Sequence, residues 1–193
     1  VGILPARQQF PATLVGGGTQ LPRPFRPFLA RLADNLQEMD RQVDELEKQI
    51  NLWHRENEAS RKLADIPGIG PITASAIVAT VGKAQEFKNG RQLAAWMGLV
   101  PRQKSSGGKQ NLLGISKRGD TYLRTLLIHG ARSVIHHASN KAEPDSWLNQ
   151  LVGRRNKNIA AVGLANKNAR IIWALLAHDR IFHPDYTAAA AAV

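Results

Sequence analysis

The sequence predicts an all-α protein: a long coiled-coil helix followed by a compact helical domain that contains a helix-hairpin-helix-like motif. Three observations predict it. An apolar stripe between residues 29 and 53 keeps the spacing of a coiled-coil seam, a P-G-I-G-P corner joins two helical stretches, and later apolar residues recur at helical intervals. With 193 residues and 43% apolar content, the chain is long enough for one sizeable core and an appendage.

Residues 1–28 hold Pro5, Pro11, the run Gly16 to Gly18, Pro22, Pro24 and Pro27, and no acidic residue. This is linker composition. From Leu29 the pattern changes: Leu29, Leu32, Leu36, Met39, Val43, Leu46, Ile50 and Trp53 alternate spacings of three and four, with charged and amide residues between them. Residues 29–60 are therefore read as a coiled-coil helix that packs on a partner helix, in a second copy or elsewhere in the chain. No polar residue interrupts the seam, so the sequence leaves the oligomer number open.

The stretch LADIPGIGPITASAIVATVG, residues 63–82, resembles a helix-hairpin-helix. Gly68 and Gly70 permit a tight turn and leave amides at the start of the second helix, near Thr73, where a phosphate fits. An ordinary helix corner is the plainer alternative. Ile66 and Ile69 are expected to plug the turn into the core, with Ile72, Ala76, Val78 and Ala79 on the following helix. A turn at Asn89 and Gly90 opens a short helix with Leu93, Trp96 and Met97, and Trp96 is read as core rather than as a platform for a base.

Next comes PRQKSSGGKQNLLGISKRGDTYLR, residues 101–124. It sets Ser105 and Ser106 beside Gly107 and Gly108, among Arg102, Lys104, Lys109, Lys117, Arg118 and Arg124, against the single acid Asp120. Ser116 or Asp120 is expected to cap a helix that buries Leu123, Leu126, Leu127 and Val134 and leaves Arg118, Arg124 and Arg132 free. Pro144 and Asp145 fit another helix start before Trp147, Leu148 and Leu151. Arg154, Arg155 and Lys157 form a second basic cluster, suited to backbone phosphate or simply solvated. A last helix is expected to bury Ile159, Val162, Ile171, Ile172, Trp173 and Leu176, with residues 187–193 an alanine-rich tail outside the 61–186 domain. His136 and His137 are adjacent and would diverge on a helix, a poor metal pair without other ligands; no metal site is expected in this chain.

Charge is unevenly divided. Residues 1–60 carry 7 Lys and Arg against 8 Asp and Glu, whereas residues 61–193 carry 19 against 7, so the net +11 comes entirely from the second part. A long polyanion is the natural partner of such a field, because each neutralised phosphate releases counterions. The absence of cysteine removes disulfides and thiol chemistry together. No secretory signal or membrane-spanning run is apparent, so a cytoplasmic setting, close to the nucleoid, is expected and a membrane partner is not.

A serine hydroxyl is a weak nucleophile at neutral pH unless a base or a positive field stabilises its developing anion. Arg102, Lys104, Lys109, Lys117 and Arg118 supply such a field. The same charges suit a phosphate-binding loop without chemistry, and on the residues alone both readings stand.

Three segments, IPGIGPITASAIVATVG, FKNGRQLAAWMGLVPRQKSSGGK and ISKRGDTYLRTLLIHGARSV, in this order and spacing, resemble the C-terminal domain of the insertion-sequence-110 family of transposases, which includes an insertion-sequence-1111-like subgroup and the Piv-type DNA invertases. The preceding coiled coil matches too, so the resemblance covers roughly residues 29–186. It implies a DNA recombinase in which a RuvC-like N-terminal domain binds divalent metal, magnesium above all, through four acidic residues. The C-terminal domain supplies a serine that forms a phosphoserine link, and a structured guide RNA selects the sites. Counting from GLVP places that serine at Ser106, and counting back from ISK allows Ser105.

The first acidic residue is Asp34, so nothing in residues 1–28 resembles a nuclease core. The chain is expected to be a C-terminal piece of a longer transposase, inert alone, that binds DNA and guide RNA and associates through its coiled coil. The alternatives are a non-catalytic nucleic-acid-binding module and a dimerisation fragment.

Overall fold

The computed structural model describes residues 23–104, 111–138 and 147–183. The chain divides into two units, residues 1–49 and 50–193. Seven α-helices and one two-stranded sheet make up the described part, so the fold is mainly helical as the sequence predicts.

A 3-10 turn at Arg23–Phe25 leads into α1, Arg26–Glu56. Thirty-one residues without Gly or an internal break past Pro27 suit a continuous helix, since a proline is tolerated in the first turn. Arg41 pairs with Glu38 at 2.7 Å and Glu45 at 3.4 Å, neighbours three and four residues away. In the first unit, Leu32, Met39, Val43 and Leu46 are exposed, Leu29 and Leu36 are half-buried, and Ala33 is buried.

The second unit is built around its last helix. Helix α2 (Glu58–Ala64) starts at Asn57, whose side chain accepts from the Ser60 N–H at 2.9 Å. Helix α3 (Pro71–Val81) follows the glycine corner, and a 3-10 turn at Ala84–Glu86 precedes α4 (Gly90–Trp96). Asn89 caps α4 by accepting from Gln92 N, while Gln92 Oε1 accepts from Lys88 N. Strands β1 (Pro101–Gln103) and β2 (Leu112–Ile115) pair antiparallel, with Pro101 opposite Ile115, Gln103 opposite Leu112 and a bulge between. Helices α5 (Thr121–Ala138), α6 (Trp147–Arg154) and α7 (Lys157–His178) complete the unit.

Helix α7 packs against α2, α4, α5 and α6. Its buried face is made mostly of small residues, Ala160, Ala161, Ala165 and Ala169, with Leu164, Ile172 and Leu175. Small side chains let neighbouring helix axes approach, and the larger residues come from the neighbours: Leu63, Ile66, Ile77, Leu93, Met97, Leu123 and Leu127 are fully buried. Each such side chain contributes roughly 1.5–3 kcal/mol of burial. Ile159, expected in the core, is 58% exposed, because the buried face of α7 is set largely by its alanines.

Three polar side chains of α7 reach from the core to the loops around it. Asn168 donates to the Pro67 carbonyl at 3.0 Å, Asn166 to Leu99 at 3.2 Å, and Trp173 Nε1 to Ala84 and Phe87 at 3.1 and 3.0 Å. The glycine corner, the approach to β1 and the 3-10 turn are thus held by one helix. Lys62 on α2 bridges Glu58 at 2.8 Å and Asp179, just beyond α7, at 2.6 Å. Hydrogen bonding to Asp179 and then to Glu58 holds the Lys62 amine above the usual lysine range.

Candidate nucleic-acid interface

The basic serine stretch is flanked in the sequence by two strands that pair as a β-hairpin, which sequence reading missed. Strands of three and four residues, open to solvent on both faces, leave no alternation of apolar and polar residues to detect. Lys104 N–H donates to the Asn111 carbonyl at 2.9 Å, and Ser116 N–H to Val100 at 2.8 Å, so the hairpin is bonded at both ends. Ser105, Ser106 and Lys109, with Gly107 and Gly108, lie between Lys104 and Asn111, outside the described residues.

The root of this hairpin is tightly built. Lys117 N–H donates to the Gly98 carbonyl at 3.2 Å, and Lys117 itself adopts φ +54°, uncommon for a side-chain-bearing residue. Gly119, at φ +116°, lies so close to α4 that a β-carbon there would meet the Trp96 carbonyl oxygen at 1.8 Å. Asp120, rather than Ser116, caps α5, accepting from Leu123 N at 2.7 Å.

Arg102, Lys104, Lys117 and Arg118 are all exposed on or beside the hairpin. Arg154 and Arg155, at the end of α6, are exposed as well, with Arg154 Nε donating to the Gln150 carbonyl. Arg124 is not on that surface. It is 8% exposed, and its guanidinium donates to the Met97 carbonyl at 3.2 Å, the Asp120 carbonyl at 3.5 Å and Thr121 Oγ1 at 3.1 Å. Its position on α5 points inward toward α4, where carbonyls at the helix end need donors.

The glycine corner splits the roles expected of it. Gly70 caps α3 in an extended conformation, with nothing within 4 Å of where a β-carbon would stand. No side chain caps this helix, and the N–H groups of Ile72 and Thr73 lie ahead of the intrahelical ladder. The Thr73 side chain is buried, so only its amide can serve a ligand there. Gly68, at φ +87°, is committed to packing: a β-carbon there would meet the Gly130 carbonyl oxygen at 2.8 Å.

Other neighbours depart from the sequence reading, Arg132 in having a partner and Trp96 in being only partly buried. Arg132 Nη2 donates to Asn158 Oδ1 at 3.3 Å, and Lys167 Nζ sits 4.6 Å from the centre of the Trp147 ring, which is 43% exposed. Trp96 is 38% exposed and packs edge-on against Phe87. Tyr122, Leu112 and Leu113 are exposed. Among the described residues, no three His, Asp or Glu side chains are grouped so that they could hold a metal ion. Nor, among them, is any helix long and apolar enough to cross a membrane.

Residues 60–145, which include the glycine corner, the hairpin and α5, match the model of the "Transposase IS116/IS110/IS902 family". By these residues the chain belongs to that transposase family. Its curated relatives agree. The chain is 52% identical over 165 residues to a "Probable family 20 transposase" of Pseudomonas aeruginosa, covering 85% of this chain and 49% of that protein. It is 43% identical over 176 residues to the transposase for insertion sequence element IS1111A of Coxiella burnetii, covering 91% and 48%. It is 37% identical over 161 residues to the transposase for insertion sequence element IS1328 of Yersinia enterocolitica, covering 81% and 48%. The chain thus spans about half the length of the curated relatives it matches. The family match begins at Ser60, in α2, after the end of α1 at Glu56.

Proposed function

We propose that this chain is the part of an IS110-family DNA transposase that binds DNA and a structured guide RNA and supplies the serine nucleophile for strand cleavage and exchange. The observation that carries the reading is the antiparallel β1–β2 pair with Arg102, Lys104, Lys117 and Arg118 exposed on or beside it, its two strands flanking Ser105 and Ser106 in the sequence. The family match supports the recombination chemistry. The basic arms support the phosphate.

In the proposed step, Oγ of Ser105 or Ser106 attacks the phosphorus of one phosphodiester. The Oγ–P bond forms, the bond from phosphorus to one deoxyribose oxygen breaks, the serine proton leaves with a base, and the departing sugar oxygen takes up a proton. One ester replaces another, so the energy of the broken bond is kept in the phosphoserine and strand exchange can reverse the step onto a different end. The basic side chains hold the two non-bridging oxygens and offset the charge that grows as phosphorus becomes five-coordinate. Lys109 lies in the same stretch of sequence, between Lys104 and Asn111. A divalent metal, as the family resemblance implies, would have to be held elsewhere, since the described residues offer no grouped ligands for it, and no step here passes through it.

The exposed Leu32, Met39, Val43 and Leu46 support self-association through α1, and Gly70 with the first-turn amides of α3 supports a second phosphate contact. Arg154 and Arg155, exposed at the end of α6, support a further phosphate contact. The same features favour one other reading, a module that grips nucleic acid without chemistry. Substituting alanine for both serines separates the two. Loss of strand exchange with binding retained supports the nucleophile, and full exchange in the double variant refutes it.

A further inference from the structure

We propose that Arg124 is a positioning residue: its buried guanidinium clasps the two ends of the 98–119 segment and so fixes the orientation of the serine hairpin. The inference rests on the serine reading above for its consequence, though not for its geometry.

The segment that carries the hairpin begins at Gly98, with Leu99 still buried in the core, and ends at Gly119, so Met97 and Asp120 flank it with a gap between them. One guanidinium spans that gap. Nη1 donates to the Met97 carbonyl, on the outgoing side, and to the Asp120 carbonyl, on the returning side, while Nη2 donates to Thr121 Oγ1. Around it the backbones interlock: a β-carbon on Gly98 would meet the Arg118 carbonyl oxygen at 2.4 Å and Arg124 Nη1 at 2.8 Å.

The charge is the informative part. Among the described residues Arg124 takes part in no ion pair, although it is 8% exposed. The Asp120 carboxylate, the nearest acid in sequence, accepts from the Leu123 amide. A guanidinium cannot shed its proton to escape burial, and an apolar side chain would fill the same space without loss of hydration. A planar fork of donors is what an apolar residue cannot offer, nor can lysine, whose ammonium is a point charge. The side chain is therefore held here by geometry: it joins carbonyls that no backbone bond could join. Because a misplacement on the order of 1 Å is enough to slow a positioned nucleophile about a hundredfold, the clasp matters most where the serine must meet phosphorus.

The test compares Arg124→Lys and Arg124→Ala with the unaltered chain by amide hydrogen exchange. For both variants, protection of the Ser116 and Lys117 amides should fall by roughly tenfold or more while that of α3 and α7 is kept, as expected for local rather than global opening. Millimolar guanidinium should restore protection in Arg124→Ala. Two results overturn the proposal: Arg124→Lys that exchanges like the unaltered chain, since charge alone would then suffice, or protection lost evenly across residues 50–183, since Arg124 would then only stabilise the core. In a complete transposase that carries this chain, Arg124→Lys should slow single-turnover cleavage by roughly tenfold or more with duplex affinity within about twofold; affinity lost in proportion to rate would overturn it. Hydrogen exchange needs no chemistry, so it reports on the clasp even if the serines prove not to be nucleophilic.

Discussion

The backbone of Gly130 in α5 crosses that of Gly68 so closely that a β-carbon on Gly130 would stand 1.8 Å from the Gly68 carbonyl oxygen. The obstructing atom is backbone, so no rotamer change relieves it. Gly130→Ala should therefore force the glycine corner and α5 apart and cost about 1–3 kcal/mol. Gly70→Ala, two residues beyond Gly68 and facing open space, should cost less than about 1 kcal/mol. Urea unfolding of the two variants checks the contrast, and equal losses would contradict the packing described here.

Loss of the α5 cap should be smaller and local. Asp120→Ala removes the acceptor of the Leu123 amide and should lower stability by about 1 kcal/mol. Thermal unfolding followed by circular dichroism measures it.

For the apolar stripe, Met39→Asp with Leu46→Asp is the informative pair. Both residues are exposed in the single chain, at 59% and 57%, so the change should leave folding of the second unit intact. If the stripe is an interface, two stranded charges should abolish association, and light scattering should give the mass of one chain. An unchanged mass in both forms would show that the stripe joins nothing.

Acid should reveal the outer face of α1. Hydrogen bonds from Arg41, then Gln42, lower the Glu38 carboxyl to about 2 from an ordinary 4.5. A depressed pKa means that this support is complete above about 4.5 and is lost as the pH falls toward 2. The helical signal of the unaltered chain should fall more steeply than that of Glu38→Gln over that interval, and parallel titrations would count against the pairing.

The predicted phosphate arms are testable by salt. Lys117→Glu with Arg118→Glu should weaken duplex binding for all sequences alike, and each phosphate left without its cation should lower the slope of log affinity against log salt by about 1. Titrations at several salt concentrations decide it. An unchanged slope would remove the hairpin root from the binding surface.

What is legible in the sequence follows from the range of each signal. Alternate spacings of three and four announce α1, and the turn at Asn89 and the cap at Asp120 are written in a few residues, whereas the break at Asn57, inside the helix expected over 29–60, is not announced. The hairpin is hidden because its pairing joins residues about ten apart through backbone alone, with no buried face to impose a pattern. Arg124 is hidden for a related reason: nothing local distinguishes a surface arginine from one whose acceptor lies 27 residues back, at Met97. Helix α7 misleads by composition, since its alanines, and not Ile159, meet the core.

The central claim is that a hairpin serine carries the chemistry. The most direct measurement is mass spectrometry of a complex trapped during cleavage by the complete transposase, alongside Ser105→Ala and Ser106→Ala variants. The predicted result is a nucleotide joined to one of Ser105 and Ser106, and strand exchange abolished by alanine at that residue alone, with DNA and RNA binding nearly intact. A double alanine variant that still recombines DNA, or a nucleotide joined to any other residue, would contradict it and leave the hairpin a phosphate clamp.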